Sequence, residues 1–134
     1  MNYLLDTNII IFFFKGKFGI GPKMKEIGID HCFISEITLA ELKYGAANSE
    51  NFQKHTNEIN LLLKSVKVAP IISSLDLFAK EKARLRKAGT MIDNFDLLIG
   101  CTAVANEMVL VTNNVKHFQR IDTIELEEWT TPTN

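Results

Sequence analysis

Cysteine is scarce in this chain. Among 134 residues there are two, Cys32 and Cys101, both in stretches that read as buried elements and neither part of a C-x-x-C pair. Reduced core thiols fit that usage better than a disulfide framework or a structural zinc site. Long apolar runs are missing as well, so no segment is suited to span a bilayer. The Met1 end has no basic region followed by an apolar stretch and a small-residue cleavage site, which argues against a secretory leader. We therefore expect a cytoplasmic protein without a membrane partner. Charge of one sign is absent too: 15 Lys and Arg oppose 16 Asp and Glu, for a formal net charge of -1. A protein so balanced does not meet nucleic acid through general basicity. A local patch and a metal ion would have to do it. Histidines are few, and His31, His55 and His117 have no ligand spacing; each reads as incidental. No internal repeat or low-complexity tract is visible.

What is present describes an ordinary globular chain. Hydrophobic residues make up 46% and charged residues 23%, and the length suits one domain over residues 1–134 with a tail expected to be loose from about Thr130. Tyr3, Leu4 and Leu5 form a short apolar strand with no polar face, as in the buried centre of a sheet. Asp6, Thr7 and Asn8 then offer helix N-caps, an apolar run follows, and Lys15-Gly16 supplies a basic last turn and a stop. Further on, the pattern predicts a short helix over 22–27, a strand over 31–35, and a helix over 36–47 capped by Ser35. A helix over 50–65 and a strand over 66–70 come next. Ser73 or Ser74 is placed to cap a helix that ends at Gly89, and the residues Asp93 to Asp96 open a nearly all-apolar helix to about 106. A strand over 108–112, a loop or short turn to Phe118, and an edge strand over 124–126 complete the order. Strands alternating with helices call for an α/β fold, a mostly parallel sheet with helices on both faces.

Acids at three places stand where such a sheet would keep a site. Asp6 ends the first strand, at the carboxyl edge where open α/β folds bind their ligands. Glu41 falls within the stripe of Ile37, Ala40, Tyr44 and Ala47 around its helix, and a carboxylate on a core-facing stripe needs a partner. Asp93 and Asp96 share the mouth of the apolar helix, where capping accounts for one of them and does not need both. Carboxylates converging on one edge repel each other unless a cation lies among them. Hard oxygen donors without a Cys or His neighbour suit Mg²⁺ or Mn²⁺. Such an ion can activate a bound water and offset charge that develops in a reaction. Lys15, Lys43, Lys116 and the basic face over residues 80–87 are candidates to position a polyanion.

Four stretches of the sequence resemble the PIN domain nucleases, and specifically the VapC-type toxins of toxin–antitoxin pairs. They are Leu4-Leu5-Asp6-Thr7-Asn8, the run from Ser35 to Gly45 that contains Glu41, Phe95-Asp96-Leu97-Leu98-Ile99-Gly100, and Leu110-Val111-Thr112-Asn113-Asn114 with Phe118. Each is weak alone; together, in the family's order across nearly the whole chain, they are specific. The resemblance implies a PIN-like three-layer sandwich and a metal-dependent endoribonuclease. Asp6, Glu41 and Asp96 match the family's metal-binding acids, and Thr7, Asn8 and Thr112 its supporting polar residues. Asn114 stands nearest the place of a further acid, and Asp93 is an alternative ligand. The resemblance also implies an RNA substrate, a homodimer, and an antitoxin that wraps the early helices and covers the acidic cleft.

Two other metal-binding α/β classes fail on single residues. A receiver-like domain needs an aspartate at the end of the third strand, where this chain has Val68-Ala69-Pro70, and a haloacid-dehalogenase-type phosphatase needs Asp-x-Asp where Asn8 stands. The remaining alternative is a PIN fold that binds RNA or protein through a weakened metal site, with Asn114 as its support. Phe12, Phe13 and Phe14 follow one another about 100° apart around the first helix, so a sheet cannot cover all three. One of them is expected to stand exposed in the protomer as part of an interface.

Overall fold

A computed structural model describes residues 1–131. Among them, β1 (Tyr3–Leu5), β2 (Cys32–Ser35), β3 (Lys67–Ala69), β4 (Val109–Val111) and β5 (Leu126–Glu127) pair in parallel in the order β3-β2-β1-β4-β5. β1 is central: Leu4 is opposite Phe33 on one side and Leu110 on the other. The chain winds from β1 outward to β3, then returns to place β4 on the far side of β1. That reversal opens a crevice at the carboxyl ends of β1 and β4, the switch point where doubly wound sheets hold ligands.

Period-two alternation divides the core between the two faces. Leu5, Ile34 and Val111 join one cluster with Ile9 and Ile10 of α1 (Thr7–Phe14), Met24 of α2 (Ile20–Ile27), Leu42 of α3 (Glu36–Ala47) and Ile59 of α4 (Phe52–Leu62). Leu4 and Leu110 join the other, with Leu85 of α5 (Leu75–Ala88), Leu97 and Ile99 of α6 (Asn94–Ala105), and Phe118 of α7 (Val115–Phe118). The result is the expected α/β sandwich of helices on both faces of a parallel sheet. No helix among the described residues is long and apolar enough to cross a membrane.

Local chemistry sets most boundaries. Ser35 caps α3 by accepting from the Thr38 amide at 3.0 Å. Gly89 closes α5 in the left-handed region, φ 71°, which costs a glycine little. Gly100 serves packing instead, since a Cβ there would lie 2.3 Å from Ile121 Cδ1. Several details depart from expectation. Residues 29–31 make a 3-10 turn, so β2 begins at Cys32. The last strand is Leu126–Glu127 rather than 124–126. Ser74 precedes α5 but does not cap it: its hydroxyl donates to the Ile71 carbonyl at 2.6 Å and lies near Thr102.

Two further expectations need correction. The buried stripe of α3 is Thr38, Leu42 and Ala46, whereas Tyr44 is 69% exposed and Ala40 and Ala47 face outward. Small and amphipathic residues on both sides had left the phase of that helix ambiguous. Phe12, Phe13 and Phe14 are each half-buried. None stands exposed as expected, because α2 and the neighbouring helices share them out. Trp129 is buried and Thr130 half-buried; the rest of the expected tail lies, beyond Thr131, outside the described residues.

Candidate active site

The crevice at the switch point is built around Asp6. β1 delivers it to the sheet edge, and its backbone N–H continues the ladder by donating to the Val111 carbonyl at 2.9 Å. Its extended backbone (φ −64°, ψ 158°) ends the strand and starts α1 in one residue. Oδ1 accepts from the Thr7 amide at 2.8 Å, and Oδ2 accepts from the Thr112 hydroxyl at 2.8 Å. Thr112 is fully buried just past β4 and also receives the Asn114 amide at 3.1 Å. Burial pushes the Asp6 carboxyl up to about 6, against the pull of the Thr112 and Thr7 hydrogen bonds, and the charges of Asp96 and Glu41 raise it further. Both acids therefore act on Asp6 across the same crevice.

Glu41 comes from the edge of the buried stripe of α3, half-exposed beside Leu42. Thr7 Oγ1 donates to Glu41 Oε1 at 2.7 Å and lies 3.0 Å from the Thr38 hydroxyl. Thr7 has one proton and gives it to the carboxylate, so Thr38 donates to Thr7. A chain of two hydroxyls thus holds Glu41 in place, and Thr38, itself fully buried, was not singled out in the sequence. Its position three residues after the Ser35 cap and three before Glu41 is the signal that could have marked it.

Asp96 sits in the first turn of α6, half-buried. Burial raises its carboxyl above the usual range, the charge and contact of His117 lower it, and Asp93 raises it. Asp93 is the N-cap of α6, exposed, and accepts from the Phe95 amide at 3.2 Å. At this helix mouth Asp93 makes the cap, while Asp96 contacts His117 and acts electrostatically on Asp6. His117, read from sequence as incidental, is corrected by the geometry: α7 places its Nε2 3.2 Å from Asp96 Oδ2. His31 and His55 keep an ordinary role, beside Asn2 at 3.0 Å and Glu58 at 2.9 Å.

The remaining expected residues lie at the rim. Asn8 Nδ2 approaches Asn113 Oδ1 at 3.5 Å, a marginal contact between α1 and the loop after β4. Asn114 is exposed and precedes α7, without a cap made by its side chain. Lys15, Lys43 and Lys116 are all exposed. Lys15 shares with Glu41 a cleft of about 540 Å³ whose apolar wall includes Ile11, Phe14 and Leu42. Lys43 lines a separate hollow with Phe52 and Thr56. The basic face of α5 is partly committed: Arg84 makes a bidentate pair with buried Glu81 at 2.9 and 2.7 Å and also donates to the Arg120 carbonyl.

Among the described residues no three His, Cys, Asp or Glu side chains are already drawn together as a finished metal cluster. The donor set nonetheless fits a hard divalent cation. Asp6 is almost wholly buried, its carboxyl raised toward neutrality, and its electrostatic neighbours are two more acids with no Lys or Arg among them. Carboxylate and hydroxyl oxygens of that kind suit Mg²⁺ or Mn²⁺.

Comparison with known proteins agrees with this architecture. The family described as PIN domain matches residues 3–124. "Ribonuclease VapC1" of Haemophilus influenzae (strain R2866) is 38% identical over 97% of this chain and 99% of its own length. "tRNA(fMet)-specific endonuclease VapC" of Salmonella typhimurium is 29% identical over 96% of this chain and 98% of its own. The crystal structure of VapBC2 from Rickettsia felis, bound to a DNA fragment from its promoter, superposes with a TM-score of 0.89. It is 30% identical to this chain and covers 96% of it and 99% of the matched chain.

Proposed function

The chain belongs to the PIN domain family, among its VapC-type ribonucleases, and on that premise we propose that Asp6, Glu41 and Asp96 hold a Mg²⁺ or Mn²⁺ ion for RNA cleavage. The protein is an endoribonuclease of a toxin–antitoxin module. The observation that carries the site assignment is the buried carboxyl of Asp6 at the end of β1, raised to about 6 with the charges of Glu41 from α3 and Asp96 from α6 both acting on it. When bound, a divalent ion there supplies an activated water and charge stabilisation for phosphodiester hydrolysis. The chain's own groups do the rest. Thr112 and the Thr7 amide fix both oxygens of Asp6, and the Thr38–Thr7 pair fixes Glu41. Lys15, next to Glu41 in the cleft, and Lys116, on α7, position the phosphate backbone at the rim. Asp93 caps α6 and keeps the first turn that presents Asp96 in shape.

The relative from Salmonella, named for its action on tRNA(fMet), makes a structured RNA the first substrate to try. The test is incubation of the purified protein with total tRNA, in Mg²⁺ and in EDTA, with the cut ends mapped. Cleavage in Mg²⁺ that vanishes in EDTA and in Asp6→Asn, Glu41→Gln and Asp96→Asn supports the assignment. Full activity in EDTA or in Asp6→Asn sinks it. The partner we assign is an antitoxin, with a homodimer as the toxin's own assembly. The support for the antitoxin is the Rickettsia complex and the apolar surface around Phe14, which lines the cleft beside Glu41 and a second one with Phe13 and Leu61. Phe14→Ser should weaken antitoxin binding and spare metal binding.

A further inference from the structure

His117 makes a contact that the acid site as described does not use. Its ring is only partly exposed, at 23%, and Nε2 is sealed from solvent with no well-aligned hydrogen bond among the described residues. Asp96 Oδ2 is 3.2 Å away. The ring cannot easily turn elsewhere: it stands edge-on to Phe118, centroids 5.6 Å apart at 86°, and Phe118 is anchored in the core at 1% exposure. The His117 amide donates to the Asn114 carbonyl, which winds the start of α7. Shut off from water, Nε2 has the Asp96 carboxylate as the acceptor within its reach.

Asp96 needs such a partner. Its neighbour Asp93 already caps α6, so capping does not fix the Asp96 rotamer. It is half-buried and faces the repulsion of Asp93. Asp6 and Glu41 each have a carboxylate oxygen held by a threonine hydroxyl, whereas the described contact of Asp96 is with the imidazole. Groups behind a metal-binding side chain set its orientation and the affinity of the site.

We infer that His117 is a positioning residue: with its proton on Nε2 it holds Asp96 Oδ2, so that Asp96 offers its other oxygen to the divalent ion. This rests on the reading of Asp96 as a metal ligand. His117 plays for the third acid the part that Thr112 and Thr7 play for the other two, by a residue type that metal-ligand spacing could not flag. It belongs behind the carboxylate and not on the ion.

The test titrates Mn²⁺ into the full-length protein by calorimetry and examines the bound Mn²⁺ by pulsed electron paramagnetic resonance. Removing the nitrogen while keeping a ring, His117→Phe, should weaken Mn²⁺ binding about 10- to 100-fold. His117→Gln, whose amide nitrogen can reach the same oxygen, should recover the affinity to within about threefold of the parent. The parent should show no directly coordinated nitrogen. Parent-like affinity in His117→Phe with an unchanged melting temperature would overturn the inference, as would failure of His117→Gln to rescue. A strong ¹⁴N coupling that disappears in His117→Phe would overturn it too, making His117 a ligand. Asp96→Asn separates the two levels. If it binds Mn²⁺ as the parent does, the metal assignment itself falls; if it loses binding while His117→Phe does not, only the role of His117 falls.

Discussion

Asp6→Asn should make the metal-free protein more stable at neutral pH while abolishing its activity. The Asp6 carboxyl is displaced from its ordinary 3.8 to about 6, with burial as the largest cause. At about 1.4 kcal/mol per pH unit that displacement is worth roughly 3 kcal/mol. Because the folded state holds the proton more tightly than the unfolded chain, the contribution of Asp6 to stability is fully present below about pH 4. It is lost as the pH rises through about 6, and is flat above that. Asparagine removes the buried charge and keeps an oxygen for the Thr7 amide. Its amino group faces Thr112 Oγ1, which can accept from it, but the Thr112 proton then loses its acceptor. That loss costs about 1 kcal/mol. The net gain at pH 7.5 is therefore about 2 kcal/mol, or about 6–8 °C in melting temperature for a chain of this size. At pH 4 the gain should vanish or turn into a small loss.

Scanning calorimetry in EDTA at the two pH values measures this directly. Added Mg²⁺ should then raise the parent's melting temperature, by an amount worth about 2.7 kcal/mol at a hundredfold excess over the dissociation constant, and leave the variant unmoved. An Asp6→Asn protein that melts at or below the parent at pH 7.5, or that shows the same difference at pH 4, would refute the claim that desolvation of Asp6 dominates the site's electrostatics.

Asp93→Ser should keep Mn²⁺ affinity within about threefold of the parent, because serine caps a helix as well as aspartate does and Asp93 serves α6 as its N-cap; calorimetry showing a loss as deep as in Asp96→Asn would make Asp93 a ligand. Thr123 is a β-branched residue held at φ 62°, a conformation that costs an L residue about 1–2 kcal/mol. Thr123→Gly should accordingly raise stability by about 0.5–1 kcal/mol in urea denaturation after the entropy of glycine is deducted, and a loss of stability would show that the Thr123 side chain makes contacts that outweigh the strain.

What the sequence determined by itself is what depends on a few adjacent residues. A three-residue apolar strand running into Asp6, the Ser35 and Asp93 caps and the Gly89 stop each act within about one turn, so their outcome is legible in the chain order. The same holds for two of the three acids: Asp6 and Asp96 sit at strand and helix ends, and those ends could be located. The third acid, Glu41, was reached by a stripe that the fold does not use, since Tyr44 faces solvent while Thr38 and Leu42 are buried. Amphipathic and small residues leave a helix's rotation to be settled by what it packs against. The hydrogen bonds that hold Asp6 and Glu41 join parts of the chain far apart, Thr7 to Glu41 across 34 residues and Thr112 to Asp6 across 106. Nothing in the spacing of His117 announced its contact with Asp96. Only the parallel winding that sets β4 against β1 brings those residues to one crevice, because the partner of a polar side chain is decided by which elements pack together and not by its neighbours in sequence.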